Sequence, residues 1–269
     1  MKLLSKILRF YINSSIHVAL AVVSFACITY MDFDIYIESN ILIFVFFSTI
    51  VAYTFVKYIP WIVTNISTLA TSLKSIFILA LISIVPLIIS FSQLDIASMM
   101  LVGVLGIFTL LYVLPFLPKA KNLRDVSGLK IFIIALVWSG ATVVLPLFSS
   151  EIAPSWFEAD TLYYISSRFC FVIALIIPFE IRDLKLDSIY LKTFPQILGI
   201  KKTKAMGCSL VLVSALLLYN SIDSYSYIWI HIVLVYLILG SRKQNAFYFT
   251  ALWVESVPIL WMLLKYLSI

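Results

Sequence analysis

Phe179-Glu180-Ile181-Arg182-Asp183-Leu184-Lys185-Leu186-Asp187 follows directly on an apolar run that reaches back to about residue 161. It brings three acidic residues into eight positions at the end of a membrane-length segment. On a helical turn Asp183 and Asp187, four apart, share one face with their Cβ atoms roughly 5–6 Å from each other. Such a pair suits a hard cation such as Mg²⁺, which takes oxygen ligands, keeps several waters and is commonly shared with a diphosphate. Arg182 and Lys185, with Lys192, Lys201, Lys202 and Lys204 downstream, supply cations for phosphate oxygens. The same residues also fit a solvated amphipathic turn whose lysines orient the chain in a membrane, and the spacing alone leaves both readings open.

Outward from this stretch the chain is overwhelmingly apolar. Of 269 residues, 63% are hydrophobic and 12% charged, and the mean hydropathy is +1.10. That composition excludes an ordinary soluble domain and a disordered chain. The three cysteines, Cys27, Cys170 and Cys208, lie inside apolar stretches and do not form a disulfide framework. A bilayer core needs roughly 20 helical residues to cross, and lipid tolerates no unpaired backbone. Nine apolar segments meet that need approximately, at 10–31, 40–59, 75–92, 97–115, 130–149, 161–180, 205–222, 225–240 and 247–267. Runs such as Leu210–Leu218 do not alternate, which excludes the strands of an outer-membrane barrel. The expectation is an all-α, polytopic membrane protein with residues 1–269 as one integral membrane domain.

The charges set an orientation. With the N-terminus inside, every basic residue except Arg168, within a span, and Lys265, outside, falls on the inner side. Eight of the thirteen acids fall outside, from Asp32 to Asp223. The positive-inside rule then gives nine transmembrane helices with the N-terminus inside and the C-terminus outside. Lys57 and Lys74 enter this count as inner-loop cations. The net charge of +6 reflects orientation and lipid contact, with no nucleic acid implied. The first apolar run lacks a small-residue cleavage site and reads as a retained helix. The default compartment is a bacterial inner membrane.

The nine segments, the inside N-terminus and Arg182-Asp183-x-x-x-Asp187 after the sixth helix resemble the UbiA superfamily of intramembrane prenyltransferases. Lys192-Thr193-Phe194-Pro195-Gln196-Ile197-Leu198-Gly199 is similar to that family's KT-x-P-x-x-LG stretch. The resemblance implies a UbiA-like bundle around a lipid-open cavity, in which two aspartate motifs hold Mg²⁺ against a prenyl diphosphate and an acceptor, often aromatic, captures the prenyl group. It assigns Asp183 and Asp187 to the metal, and Arg182, Lys185, Lys192, Lys119 and Lys130 to the diphosphate.

The chain departs from that pattern in two places. The first aspartate motif belongs where the second helix reaches the inner side, and the text there is Thr54-Phe55-Val56-Lys57-Tyr58-Ile59-Pro60-Trp61-Ile62. No acid occurs between Glu38 and Asp95. After the fourth helix, Tyr112 is followed by Phe116 where the family has lysine, and Lys119 comes later.

Ionisable groups inside the spans are expensive and usually face the bundle interior. His17 and Glu255 lie at similar depth in the first and last helices and are expected to pair if those helices adjoin, either as a packing clasp or as acceptor ligands. Arg168 is expected to snorkel outward or to reach Glu255. His231, Tyr163, Tyr164, Tyr225 and Tyr227 read as interfacial belt residues. Zinc spacings, phosphate loops and nucleophile elbows do not occur. Three readings remain: a prenyltransferase, a non-catalytic relative that binds polyprenyl lipid, and an unrelated transporter or scaffold.

Overall fold

In lipid the backbone must satisfy its own hydrogen bonds, and for runs this apolar the helix is the economical solution. The structure, a computed structural model, describes residues 2–64, 71–114, 123, 126, 128–150, 158–184, 191–222, 227–245 and 247–268. Among these residues there is no strand. The helices are α1 (Lys2–Asn13), α2 (Ile16–Asp32), α3 (Ser39–Thr64), α4 (Thr71–Phe91), α5 (Ile96–Val113), α6 (Leu129–Ser139), α7 (Leu145–Phe148), α8 (Ala159–Asp183), α9 (Phe194–Tyr219), α10 (Tyr227–Gly240) and α11 (Val257–Ser268). One π-helical turn, Gly140–Val144, joins α6 to α7, and a second, Phe249–Val254, precedes α11.

Seven helices are long and apolar enough to cross a bilayer, and eight if α1 and α2, bent by 57° at their junction, count as one broken span. The remaining expected segment is α10, an apolar helix of 14 residues that is too short to pass the same test. The chain is thus an integral, multi-pass membrane protein, with seven of the nine expected segments, or eight with the broken first one, long enough to span. The first is not continuous, because Ser15 adopts a left-handed φ of 65° and breaks it just before His17.

The bundle is organised around α2. Ala19, Ala21, Ser24, Ala26 and Ile28 are all buried, and the stripe of Ile16, Leu20, Val23 and Cys27 is left partly uncovered. Small residues let neighbouring backbones approach, which matters where lipid removes the hydrophobic drive between helices. One side of α2 packs against α3 and another against α11, closing the first and last helices into a ring. α8 packs on α6 and α9, and α10 lies between α9 and α11. Gly207 on α9 is in tight contact with α8: a Cβ there would stand 3.3 Å from an Ile177 carbon.

Both π turns are docking points for α2. Thr29 Oγ1 donates to the Thr142 carbonyl at 2.7 Å, and His17 Nε2 meets the Leu252 carbonyl at 3.1 Å. The Leu252 carbonyl takes the imidazole in addition to the Ser256 N–H of its own helix, at 2.9 Å, and such bulges recur at functional sites. By contrast Ile78, Leu81, Ile82, Val85 and Ile89 of α4 are exposed, as expected of a lipid-facing surface.

Candidate functional site

The space left between the apolar helices α3, α4, α5 and α6 is a cavity of about 600 Å³. That is within the range of ligand pockets. Val45, Tyr53, Leu87, Leu105, Val137 and Trp138 are among its walls, and no charged side chain lines it. Its hydroxyls are turned away from any ligand: Thr49 donates to Val45 O at 2.6 Å, and Thr109 to Leu105 O at 2.9 Å. Trp138 Nε1 donates to Tyr53 Oη at 3.1 Å. Most of the wall polarity is therefore consumed internally, leaving a largely apolar surface suited to a hydrocarbon chain.

The lining runs along α3 from Phe44 to Val56, about 18 Å at the helical rise of 1.5 Å per residue. The next residue is Lys57. Its Nζ stands 5.7 Å from the centre of the Tyr53 ring and donates to Ser15 Oγ at 3.3 Å. Because α3 continues to Thr64, Lys57 lies within the helix and two turns from its end. It is exposed and lies within the helix, beside Tyr53 and Ser15, whereas the charge pattern alone counts it only as an inner-side orienting charge.

Around Lys57 the polar groups of four helices converge. His17 lies at the α2 break. Its Nε2 carries the proton donated to Leu252 O, so Nδ1 accepts from Tyr11 Oη at 2.8 Å. Nε2 also lies 3.2 Å from Ser256 Oγ. Glu255, the neighbour of Ser256, is within electrostatic range of Lys57 and Arg182. It forms no ion pair with either among the described residues. The expected meeting of α2 with the last helix is present, but His17 binds Leu252 and Ser256 and leaves Glu255 facing the polar chamber.

Arg182 closes this chamber from α8. Its Nε and one terminal nitrogen hold Asp183 in a fork, at 2.7 and 3.0 Å, and the other donates to Thr250 Oγ1 of the second π turn at 2.5 Å. Asp183 thereby has both carboxylate oxygens engaged. Lys130 pairs with Glu180 at 2.7 Å beneath the start of α9. Lys192 is exposed, with a left-handed φ of 44°. Asp187, Lys185 and Lys119 lie outside the described residues.

The Lys192–Gly199 stretch starts α9. Thr193 is the N-cap residue, its N–H donating to Gln196 Oε1 at 2.9 Å, Pro195 occupies the first turn, and Gly199 kinks the helix at a φ of 76°. Each residue type has a local mechanical reason: a proline needs no amide partner in a first turn, and a left-handed φ favours glycine.

The Mg²⁺ implied by the resemblance was tested against these donors. No group of three or more His, Cys, Asp or Glu side chains capable of holding a metal occurs among the described residues. Asp183 is held in the fork of Arg182, Glu180 is paired with Lys130, and α3 offers an ammonium in place of carboxylates. The described donor set does not fit a divalent cation.

A second polar cluster occupies the opposite end of α2. Arg168 is buried, with its guanidinium 4.2 Å from the Phe25 ring centre and 5.4 Å from that of Trp261. It neither snorkels nor reaches Glu255. It donates to Tyr164 Oη at 2.9 Å, and Tyr164 donates to Asp32 at 2.6 Å. Asp32 is also paired with Lys265. Tyr164, Tyr227 and His231, expected at the interface, are buried, with His231 bridging Ser214 Oγ at 3.1 Å and Tyr227 O at 2.8 Å. Tyr163 is exposed and Tyr225 lies outside the described residues.

No family model matches the chain, and no curated protein matches it in sequence. Solved structures do match. The apo structure of a UbiA homologue from Aeropyrum pernix K1 superposes with a TM-score of 0.66 at 14% identity, covering 94% of this chain and 98% of that one. A UbiA homologue from Archaeoglobus fulgidus, bound to GPP and Mg²⁺, gives 0.63 at 10% identity, covering 97% and 99%. A structure of a digeranylgeranylglyceryl phosphate synthase gives 0.56 at 13%, covering 97% and 96%. At these identities the likeness is one of fold: along nearly its whole length, this chain has the fold of the UbiA homologues.

Proposed function

We propose that the protein is a UbiA-type membrane prenyltransferase, which moves a prenyl group from a prenyl diphosphate to an acceptor at the cytoplasmic face. The observation that carries this reading is the uncharged cavity between α3, α4, α5 and α6, which adjoins the polar chamber of Lys57, Arg182 and Glu255 through Tyr53. An apolar cavity with a cluster of charged groups beside one of its walls fits a ligand with a hydrocarbon chain and an anionic head. In the transfer, the bond between the allylic carbon and the diphosphate oxygen breaks with both electrons leaving on oxygen. The acceptor then forms the new bond to that carbon and releases a proton. The likeness in fold to a homologue bound to GPP supports the same ligand class here.

The test is release of diphosphate from C10 to C20 prenyl diphosphates by wild type and by Ala52→Phe, which places a ring in the cavity. Wild-type release that the substitution stops supports transfer. Binding without release supports a second reading, a non-catalytic relative that holds polyprenyl lipid. The specific observation in favour of that second reading is the absence of any acid from residue 39 to residue 94.

A further inference from the structure

We infer that the anionic head of the cavity's ligand is met directly by the ammonium of Lys57, with no divalent cation as a bridge. The inference deepens the prenyl-lipid reading above and rests on it for the identity of the apolar tail.

Four observations converge. Lys57 follows Val56, the last cavity-lining residue of α3, and stands over the ring of Tyr53, which is itself a wall of the cavity. The ammonium therefore stands beside one wall of the cavity, next to a ligand whose tail fills it. Lys57 spends one donor on Ser15 Oγ over a long 3.3 Å contact. An ammonium has three donors, which leaves two for an anionic group beside it. It is solvent-accessible inside the bundle and has no carboxylate in ion-pair contact among the described residues. An uncompensated cation in a membrane-spanning helix is costly, which makes it a functional position by default.

The fourth observation is the donor set. A bound Mg²⁺ requires several oxygens, whereas the described carboxylates nearest the chamber on α8 are committed, Asp183 to Arg182 and Glu180 to Lys130. A dication beside Lys57 would also meet like-charge repulsion in a medium of low dielectric. The lysine thus occupies the wall from which a metal would otherwise be held and supplies the positive charge itself.

The experiment is calorimetric titration of the full chain in detergent with farnesyl diphosphate, dodecyl phosphate and farnesol, each in EDTA and in Mg²⁺, for wild type, Lys57→Met and Lys57→Arg. The expected result is farnesyl diphosphate binding in EDTA within about threefold of its value in Mg²⁺. Lys57→Met should weaken it by about tenfold or more, the scale of a lost charge-assisted contact, and Lys57→Arg should restore most of it. Farnesol binding that Lys57→Met leaves unchanged shows that the variant is folded with its cavity intact. Loss of farnesyl diphosphate binding in EDTA, indifference to Lys57→Met, or failure of both anions to bind overturns the inference. If dodecyl phosphate binds through Lys57 in EDTA while farnesyl diphosphate and farnesol do not, the cation site stands and the prenyl reading falls. Prenyl diphosphate binding that needs Mg²⁺ and ignores Lys57 gives the reverse.

Discussion

His17 and Leu252 are 235 positions apart, yet the imidazole Nε2 of one lies 3.1 Å from the carbonyl oxygen of the other. This contact ties the start of α2 to the π turn before α11 and closes the helical ring beside the polar chamber. His17→Leu keeps the volume roughly but leaves Tyr11 without its acceptor. The expected cost is about 1–2 kcal/mol, the usual scale for an interhelical hydrogen bond with a buried partner. Thermal unfolding in detergent checks it, and an unchanged midpoint would remove the clasp from the structure's stabilising contacts.

At the other end of α2, Asp32 accepts from Tyr164 and is paired with Lys265, with the Asp32 side chain 1% exposed. Removing one partner of a buried pair leaves the other charge uncompensated, at a cost of about 3–5 kcal/mol. Asp32→Asn is therefore expected to destabilise strongly. Asp32→Asn combined with Lys265→Met should cost less than the sum of the single changes, because no charge is then stranded. A double-mutant cycle on unfolding midpoints measures the coupling, and additive effects would refute it.

Gly140 supports the cavity from behind. A Cβ at this position would stand 2.6 Å from a terminal carbon of Leu105, which lines the cavity. Leu105 is flexible at its tip, so Gly140→Ala should push that tip into the cavity with little loss of fold. The expected outcome is weaker binding of a C20 prenyl diphosphate by about tenfold, on the scale of overpacking a filled site, at an unfolding midpoint close to wild type. Equal affinity would show that Leu105 has room elsewhere.

Gly106 also lines the cavity, and a Cβ there meets nothing within 4 Å. Replacing a helical glycine with leucine improves helix propensity by about 0.8 kcal/mol, so Gly106→Leu should not unfold α5. It should shorten the space for a chain and lower affinity for C20 more than for C10 diphosphates. Competition binding across that series reads the ratio, and equal losses at all lengths would place the tail elsewhere.

The helices and their order were legible because apolar runs of membrane length have few other options. Their breaks were not. Ser14-Ser15 carries no glycine or proline to announce the left-handed residue that bends α1 from α2. The two π turns depend on hydroxyl and imidazole partners from α2, which no local pattern encodes. Arg168 found its partners on α2, α8 and α11, so neither a snorkelling path nor a single acid could be read for it. Lys57 was hidden by the rule that made the topology readable, since a lysine near a helix end counts as an orienting charge. The signal that marks it is a single cation between Tyr53 and Tyr58 in an acid-free stretch. Asp183 was conspicuous in sequence, and the fork of Arg182 that occupies it appears only in the folded chain.

Where the prenyl chain lies decides more than any single substitution. Photo-crosslinking with a benzophenone-tagged farnesyl diphosphate, followed by peptide mapping, reports that position directly. Labels on the lining of α3 and α5, between Phe44 and Val56 and between Leu105 and Val113, with competition by untagged farnesyl diphosphate, are the expected result. Labels confined to lipid-facing positions such as Leu212 and Leu216 of α9, without competition, would contradict the cavity as the site of the isoprenoid.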